Sequence, residues 1–156
     1  MSRLTLALLS ALALPAYAAQ NACELVQPEE INLIATSTKV EKVVQQKSGN
    51  PSECGFLDAR KAAVLVVTVR DVQYAVKDEM GMERDNLEKI YKTHSKPVDG
   101  VGDGAYWMPS AHQLGFRKAK TIVNVKFGTA KNQNELDTAQ IARVIETRLT
   151  KAQAAK

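Results

Sequence analysis

The chain predicts an α+β fold, an antiparallel β-sheet with helices packed on it. Three observations point there. Ala62 to Val69 reads AAVLVVTV, a nearly unbroken β-branched run that suits a central strand covered on both faces. The links Asp58-Ala59-Arg60-Lys61 and Ala119-Lys120 have hairpin length, which implies antiparallel pairing. Helical patterns precede, interrupt and follow the strands, giving the order helix, strands, long helix, strands, helix.

The first segment stands outside that fold. Arg3 supplies a positive start, Leu4 to Leu14 is uncharged and rich in Leu and Ala, and Ala16-Tyr17-Ala18 fits the small-residue subsites of signal peptidase. The apolar run is about 11 residues, where a membrane span needs roughly 20. Residues 1–18 therefore read as a cleavable secretory signal, and the exported chain starts near Ala19. A lipid-modified Cys23 is rejected, because Gln20-Asn21-Ala22 lacks the leucine and small residues that lipidation needs.

The elements of the exported chain follow in order. Gln27 to Thr36 starts a helix, with Pro28 in its first turn and Glu29 and Glu30 at the positive end of its dipole. Ile31, Ile34 and Ala35 form its apolar face. Val40 to Gln46 is a short strand, and Ser48-Gly49-Asn50-Pro51 is a turn. Cys54 to Asp58 and Ala62 to Val69 are the next two strands. Asp71 is expected to cap a long helix to Tyr91, with Met80, Leu87, Ile90 and Tyr91 on its apolar face and Gly81 as a weak point.

Ser95 to Gly104, with Pro97 and three glycines, is read as irregular. Strands follow over Ala105 to Met108, Gln113 to Lys118 and Thr121 to Phe127. In the last, Val123, Val125 and Phe127 share one face, and Ile122, Asn124 and Lys126 the other. Asn134 caps a closing helix whose inward stripe is Ile141, Ala142, Ile145 and Leu149. The domain is expected to span residues 19–150, with 151–156 as a flexible tail.

Charge and cysteines narrow the function. Of 21 Lys and Arg and 17 Asp and Glu only Arg3 lies in the signal, so the exported chain carries a mild +3. That argues against a dedicated nucleic-acid binder. An oxidising compartment and an even cysteine count predict that Cys23 and Cys54 pair. Their spacing is far from the Cys-x-x-Cys of redox-active pairs.

No catalytic set stands out. His94 and His112 belong to no metal-ligand spacing, there is no Gly-x-Ser-x-Gly elbow, and no cofactor is predicted. Gly100-Val101-Gly102-Asp103-Gly104 leads into a strand, so it lacks the helix N-terminus of a nucleotide loop. A calcium loop starting at Asp99 would need Glu where Ser110 stands. Turn chemistry accounts better for Asp99, Asp103 and the glycines. Two surface features remain. Tyr106 and Trp107 follow the glycine loop on opposite strand faces; either one face is core and the other partly wet, or they form a small aromatic recognition patch. Arg117, Lys118, Lys120, Lys126 and Lys131 surround the last hairpin and form a basic rim, or an edge guarded by lysines.

Cys23-Glu24-Leu25, the Pro28-Glu29-Glu30 helix start, Cys54-Gly55-Phe56 and Val101-Gly102-Asp103-Gly104-Ala105-Tyr106-Trp107 together carry a resemblance. The chain resembles small exported bacterial proteins of unknown function and is similar to actinobacterial lipoproteins of that type. The resemblance implies a PsbP-like α/β/α sandwich and a paired Cys23 and Cys54, and it brings no catalytic residues. Cys23 departs from the lipidation context of those lipoproteins.

The functional expectation is a periplasmic or secreted, non-enzymatic module that binds an envelope protein or a small amphiphilic ligand through the 97–107 loop and Trp107. The alternative is an envelope accessory or inhibitor protein acting through the basic hairpin. An enzyme ranks third.

Overall fold

Alternation along the strands sorts side chains to two faces, and the computed structural model shows what each face becomes. It describes residues 20–72, 78–128 and 134–154; the expected signal at 1–18 lies outside them. Seven strands form one antiparallel sheet: β1 Lys42–Lys47, β2 Ser52–Leu57, β3 Ala63–Asp71, β4 Lys96–Pro97, β5 Gly104–Met108, β6 Gln113–Lys118 and β7 Thr121–Phe127. Their spatial order is β1-β2-β3-β7-β6-β5-β4. Three helices pack on it, α1 Pro28–Ile34, α2 Glu79–Tyr91 and α3 Glu135–Ala154, with short 3₁₀ turns at Ala22–Glu24 and Pro109–Ala111. The fold is α+β, a helix-packed antiparallel sheet.

The first face holds the main core. Phe56, Leu65, Val67, Val123, Val125, Leu114, Phe116 and Trp107 project from it and are buried. Against them α3 lays Ile141, Ala142, Ile145 and Leu149, all fully buried at the helical spacing expected of an inward stripe. Each large aliphatic side chain so buried contributes about 1.5–3 kcal/mol relative to exposure. Asn134 caps α3, its Oδ1 accepting from the amide of Asp137 at 3.1 Å. α1 starts at Pro28, with the amide of Gln27 donating to Glu30 Oε2 at 2.8 Å. Arg148 of α3 donates from Nη2 to Glu30 Oε1 at 2.8 Å, and its Nη1 stands at ion-pair distance from Oε2, also 2.8 Å, without a hydrogen bond.

Cys23 and Cys54 are joined by a disulfide. It fastens the Ala22–Glu24 turn to β2, beside a 3.0 Å hydrogen bond from the Ala22 amide to Ser52 Oγ. Among the described residues no helix is long and apolar enough to cross a membrane.

The second face is covered unevenly. α2 packs over β5, β6 and the Pro109–Ala111 turn, where Met80 and Leu87 meet Tyr106, Met108 and Ala111. Toward β3 the cover thins. Val64 and Val66 are half-buried there, so the valine run is enclosed on one face and partly open on the other.

Several elements depart from the sequence reading. Asp71 ends β3, its amide donating to Asn50 Oδ1 at 2.9 Å and its carboxylate accepting from Thr121 Oγ1 at 2.8 Å. The cap of α2 is Asp78, whose Oδ1 accepts from the Gly81 amide at 2.9 Å. Gly81 therefore sits in the first turn, where it does not split the helix. Ile90 and Tyr91 are exposed because β5 and β6 reach only the Met80 and Leu87 side of α2. Residues Lys96 and Pro97, expected to be irregular, pair with Trp107 and Tyr106 as β4. α3 continues to Ala154, so residues 151–154, expected as a tail, form its last turn.

Candidate functional site

The partly open side of the second face carries polar residues where an alternating strand would bury apolar ones. Cross-strand register sets Thr68, Asn124, Gly115 and Tyr106 in one row and Arg70, Ile122, Arg117 and Gly104 in the next. Gly115 lets the Tyr106 ring lie on the sheet, since a Cβ there would stand 2.5 Å from ring carbon Cε1. The phenol then reaches a polar cluster: Gln113 Nε2 donates to Tyr106 Oη at 3.4 Å and to Asn124 Oδ1 at 3.0 Å.

Glu83 of α2 is the hub. Its Oε1 accepts from Asn124 Nδ2 at 2.6 Å and from Gln113 Nε2 at 3.4 Å. Its Oε2 accepts from Arg70 at 3.3 Å, and the other terminal nitrogen of Arg70 lies 3.5 Å from Glu79. One guanidinium is thus shared by two carboxylates, with Arg70 still 38% exposed. Burial pushes the Tyr106 phenol above its ordinary pKa, and the nearby Glu83 carboxylate adds to the shift.

Beside this cluster opens a cleft of about 600 Å³ lined by Arg70, Glu79, Met82, Glu83, Asn86 and Leu87. Five of the six come from α2 at spacings of three, four and one, which places them along one flank of the helix. The cleft therefore combines an apolar wall with a charged floor, an arrangement suited to orienting an amphiphile. Among the described residues no group of three or more His, Cys, Asp and Glu side chains is placed to hold a metal ion.

The residues singled out in sequence go elsewhere. Trp107 is 2% exposed and belongs to the main core, while Tyr106 is buried on the opposite face under α2. The exposed aromatic patch is thereby corrected: alternation on β5 sends one ring to each core. Asp99 is exposed. Asp103 closes the β6–β7 turn, with Oδ2 accepting from the Ala119 amide at 2.6 Å and its own amide donating to Arg117 O at 2.7 Å. Gly102, at φ +60°, passes so close to the Arg117 carbonyl that a Cβ has no room. Lys118 is tied to Glu146 of α3 at 2.9 Å. Burial pushes the Glu146 carboxyl up, but the Gly102 amide and the Lys118 ammonium outweigh it and hold the pKa below its ordinary value.

The 97–107 loop is thus a clasp between the last hairpin and α3, reinforced by Arg143 donating to Gly100 O at 3.3 Å. Arg117, Lys120 and Lys126 are exposed, and Lys131 lies outside the described residues. Asp103 and His112 sit at opposite ends of the β5–β6 hairpin. His94 is exposed beside Glu88, at 3.7 Å.

Sequence reasoning missed Arg70, Glu79, Glu83, Gln113 and Asn124. The available signal was polarity at the wrong phase: Thr68 interrupts the valine run, Arg70 follows it on the same strand face, and Asn124 interrupts TIVNVKF. No protein-family model and no curated protein matches the chain.

Proposed function

We propose that the chain is an exported, non-enzymatic binding module that takes a small amphiphilic ligand in the cleft beside α2. The observation that carries this reading is the cleft itself, with Met82 and Leu87 apolar and Arg70, Glu79, Glu83 and Asn86 polar around one opening. A periplasmic or secreted location is part of the proposal. The secretory pattern of residues 1–18 and the Cys23–Cys54 disulfide support it. Helices on both faces of an antiparallel sheet support the further proposal of a PsbP-like sandwich.

The basic-hairpin reading has weaker support, because Lys118 is engaged with Glu146 and Asp103. Among the described residues Arg117, Lys120 and Lys126 are the exposed members of the basic rim.

Fluorescence titration with the neutral amphiphile N-phenylnaphthylamine tests the cleft. The expected result is enhanced emission on binding, reduced about tenfold in affinity by Met82→Ser together with Leu87→Ala and unchanged by Asp99→Asn. Equal binding by wild type and the cleft variant would overturn the reading, provided Trp107 emission shows both folded.

A further inference from the structure

The charges around the cleft beside α2 are largely paired with one another, while much of its hydrogen-bonding capacity is unspent. Arg70 stands between two carboxylates, 3.3 Å from Glu83 Oε2 and 3.5 Å from Glu79 Oε2. The other oxygen of Glu83 is engaged as well, since Asn124 and Gln113 donate to it. An anionic head brought to Arg70 meets both carboxylates at the same time. A cationic head meets carboxylates that already face a guanidinium. Neither sign of charge finds an uncompensated partner there.

Hydrogen bonding is different. A guanidinium carries five N–H donors. Arg70 gives one from Nη2 to Glu83, and Nη1 faces Glu79 at ion-pair distance without a hydrogen bond. Among the described residues its Nε has no partner, and neither Glu79 Oε1 nor the exposed side-chain amide of Asn86 has one. Glu79, Glu83 and Asn86 recur at spacings of four and three, which sets them in one stripe along α2. At 3.6 residues per turn Met82 and Leu87 fall on either side of that stripe. The cleft is thus a strip of mixed donors and acceptors between two apolar edges.

We infer that the cleft selects an amphiphile whose head is uncharged and rich in hydroxyl groups, as a glycosyl or polyol head is. This rests on the cleft reading and names the head that the cleft takes. A hydroxyl both donates and accepts, so adjacent hydroxyls of one head answer Arg70, Glu79 and Asn86 together. They do so without carrying a charge out of water. The apolar chain lies against Met82 and Leu87, and the cleft volume of about 600 Å³ is that of a small-molecule site.

Displacement of N-phenylnaphthylamine from the disulfide-bonded protein by octyl glucoside, octanoate and octylammonium, each below its micellar concentration, tests the inference. The three share a chain length and differ in the head. Octyl glucoside is expected to act at a concentration about tenfold lower than either ion. The chain's formal charge of +4 would by itself favour octanoate, so this order reports the cleft. Asn86→Leu should weaken octyl glucoside about fivefold while N-phenylnaphthylamine binds as before, which shows the cleft intact. Glu79→Gln should strengthen octanoate about threefold, because Glu83 alone then balances Arg70. Either ion acting at or below the concentration of the glucoside would overturn the inference and leave the cleft reading standing. So would an Asn86→Leu protein with unchanged affinity for the glucoside. Free glucose displacing the probe as well as octyl glucoside does would overturn the amphiphile and leave a sugar site. If N-phenylnaphthylamine itself does not bind, the cleft reading and this inference are both refuted.

Discussion

Tyr106 lies across Gly115, its Cε1 only 2.5 Å from where a Cβ on residue 115 would be. That contact seats the phenol among Gln113, Asn124 and Glu83 and so sets the floor beneath α2. Gly115→Ala should force the ring off the sheet and destabilise the protein by about 1–3 kcal/mol, the usual range for overpacking. Urea denaturation measures it. A loss below about 0.5 kcal/mol would mean the ring shifts freely and the floor is not fixed.

Alkaline stability reads the same ring. The Tyr106 phenol is neutral and buried, with its folded pKa raised above the unfolded value. Its contribution is complete below the unfolded pKa of about 10 and is lost as pH rises beyond that, where the unfolded chain releases the proton first. The melting temperature should therefore fall above about pH 10, and Tyr106→Phe should flatten that fall. Lys118, also raised, through its hydrogen bond from Nζ to Glu146, titrates in the same direction, so the Phe variant is what isolates the phenol.

At the acid end the sign reverses. Glu146 is held low by the Gly102 amide and Lys118 against the upward push of burial. Its contribution is present above the unfolded carboxylate value of about 4.3 and is lost as pH falls through the folded value. Glu146→Gln should lower the melting temperature at pH 7 and leave it nearly unchanged from wild type at about pH 2. An equal loss at both pH values would show that packing, and not the charge, joins α3 to the glycine loop.

The Cys23–Cys54 bridge closes a sequence separation of 31. Loop-closure entropy for that length gives about 3–4 kcal/mol in the chain-entropy model. Comparison of denaturant midpoints for oxidised and reduced protein should recover most of it. A difference near zero would show that the core alone holds the Ala22–Glu24 turn.

Trp107 offers a direct check on the core, since it is the only tryptophan. At 2% exposure its emission should be blue-shifted and resist acrylamide, and both properties should vanish on unfolding. Ready quenching in the folded protein would place the ring at the surface.

The sheet was legible because its signals are local. β6 and β7 match their expected limits at Gln113–Lys118 and Thr121–Phe127, where turn residues and alternation coincide. The inward stripe of α3 was equally plain, as four apolar residues recur at helical spacing. The start of α2 was not. Asp71 and Asp78 both suit a cap, and strand pairing of Asp71 opposite Thr121 decides between them. The polar cluster was hidden for a different reason. Arg70, Glu83 and Asn124 are far apart in sequence, and each reads singly as a surface residue; the antiparallel register of β3 and β7 and the placement of α2 bring them together. Trp107 stayed open in the sequence because an aromatic after a glycine loop suits either a patch or a core, and strand phase decides its face.

Amide chemical-shift mapping during titration with N-phenylnaphthylamine tests the central claim, that ligand enters beside α2. Shifts should concentrate at Arg70, Asn124 and residues 79–87, with the hairpin end around Asp103 and Lys120 unmoved. Shifts centred on residues 97–107 and 117–120, with α2 silent, would contradict it.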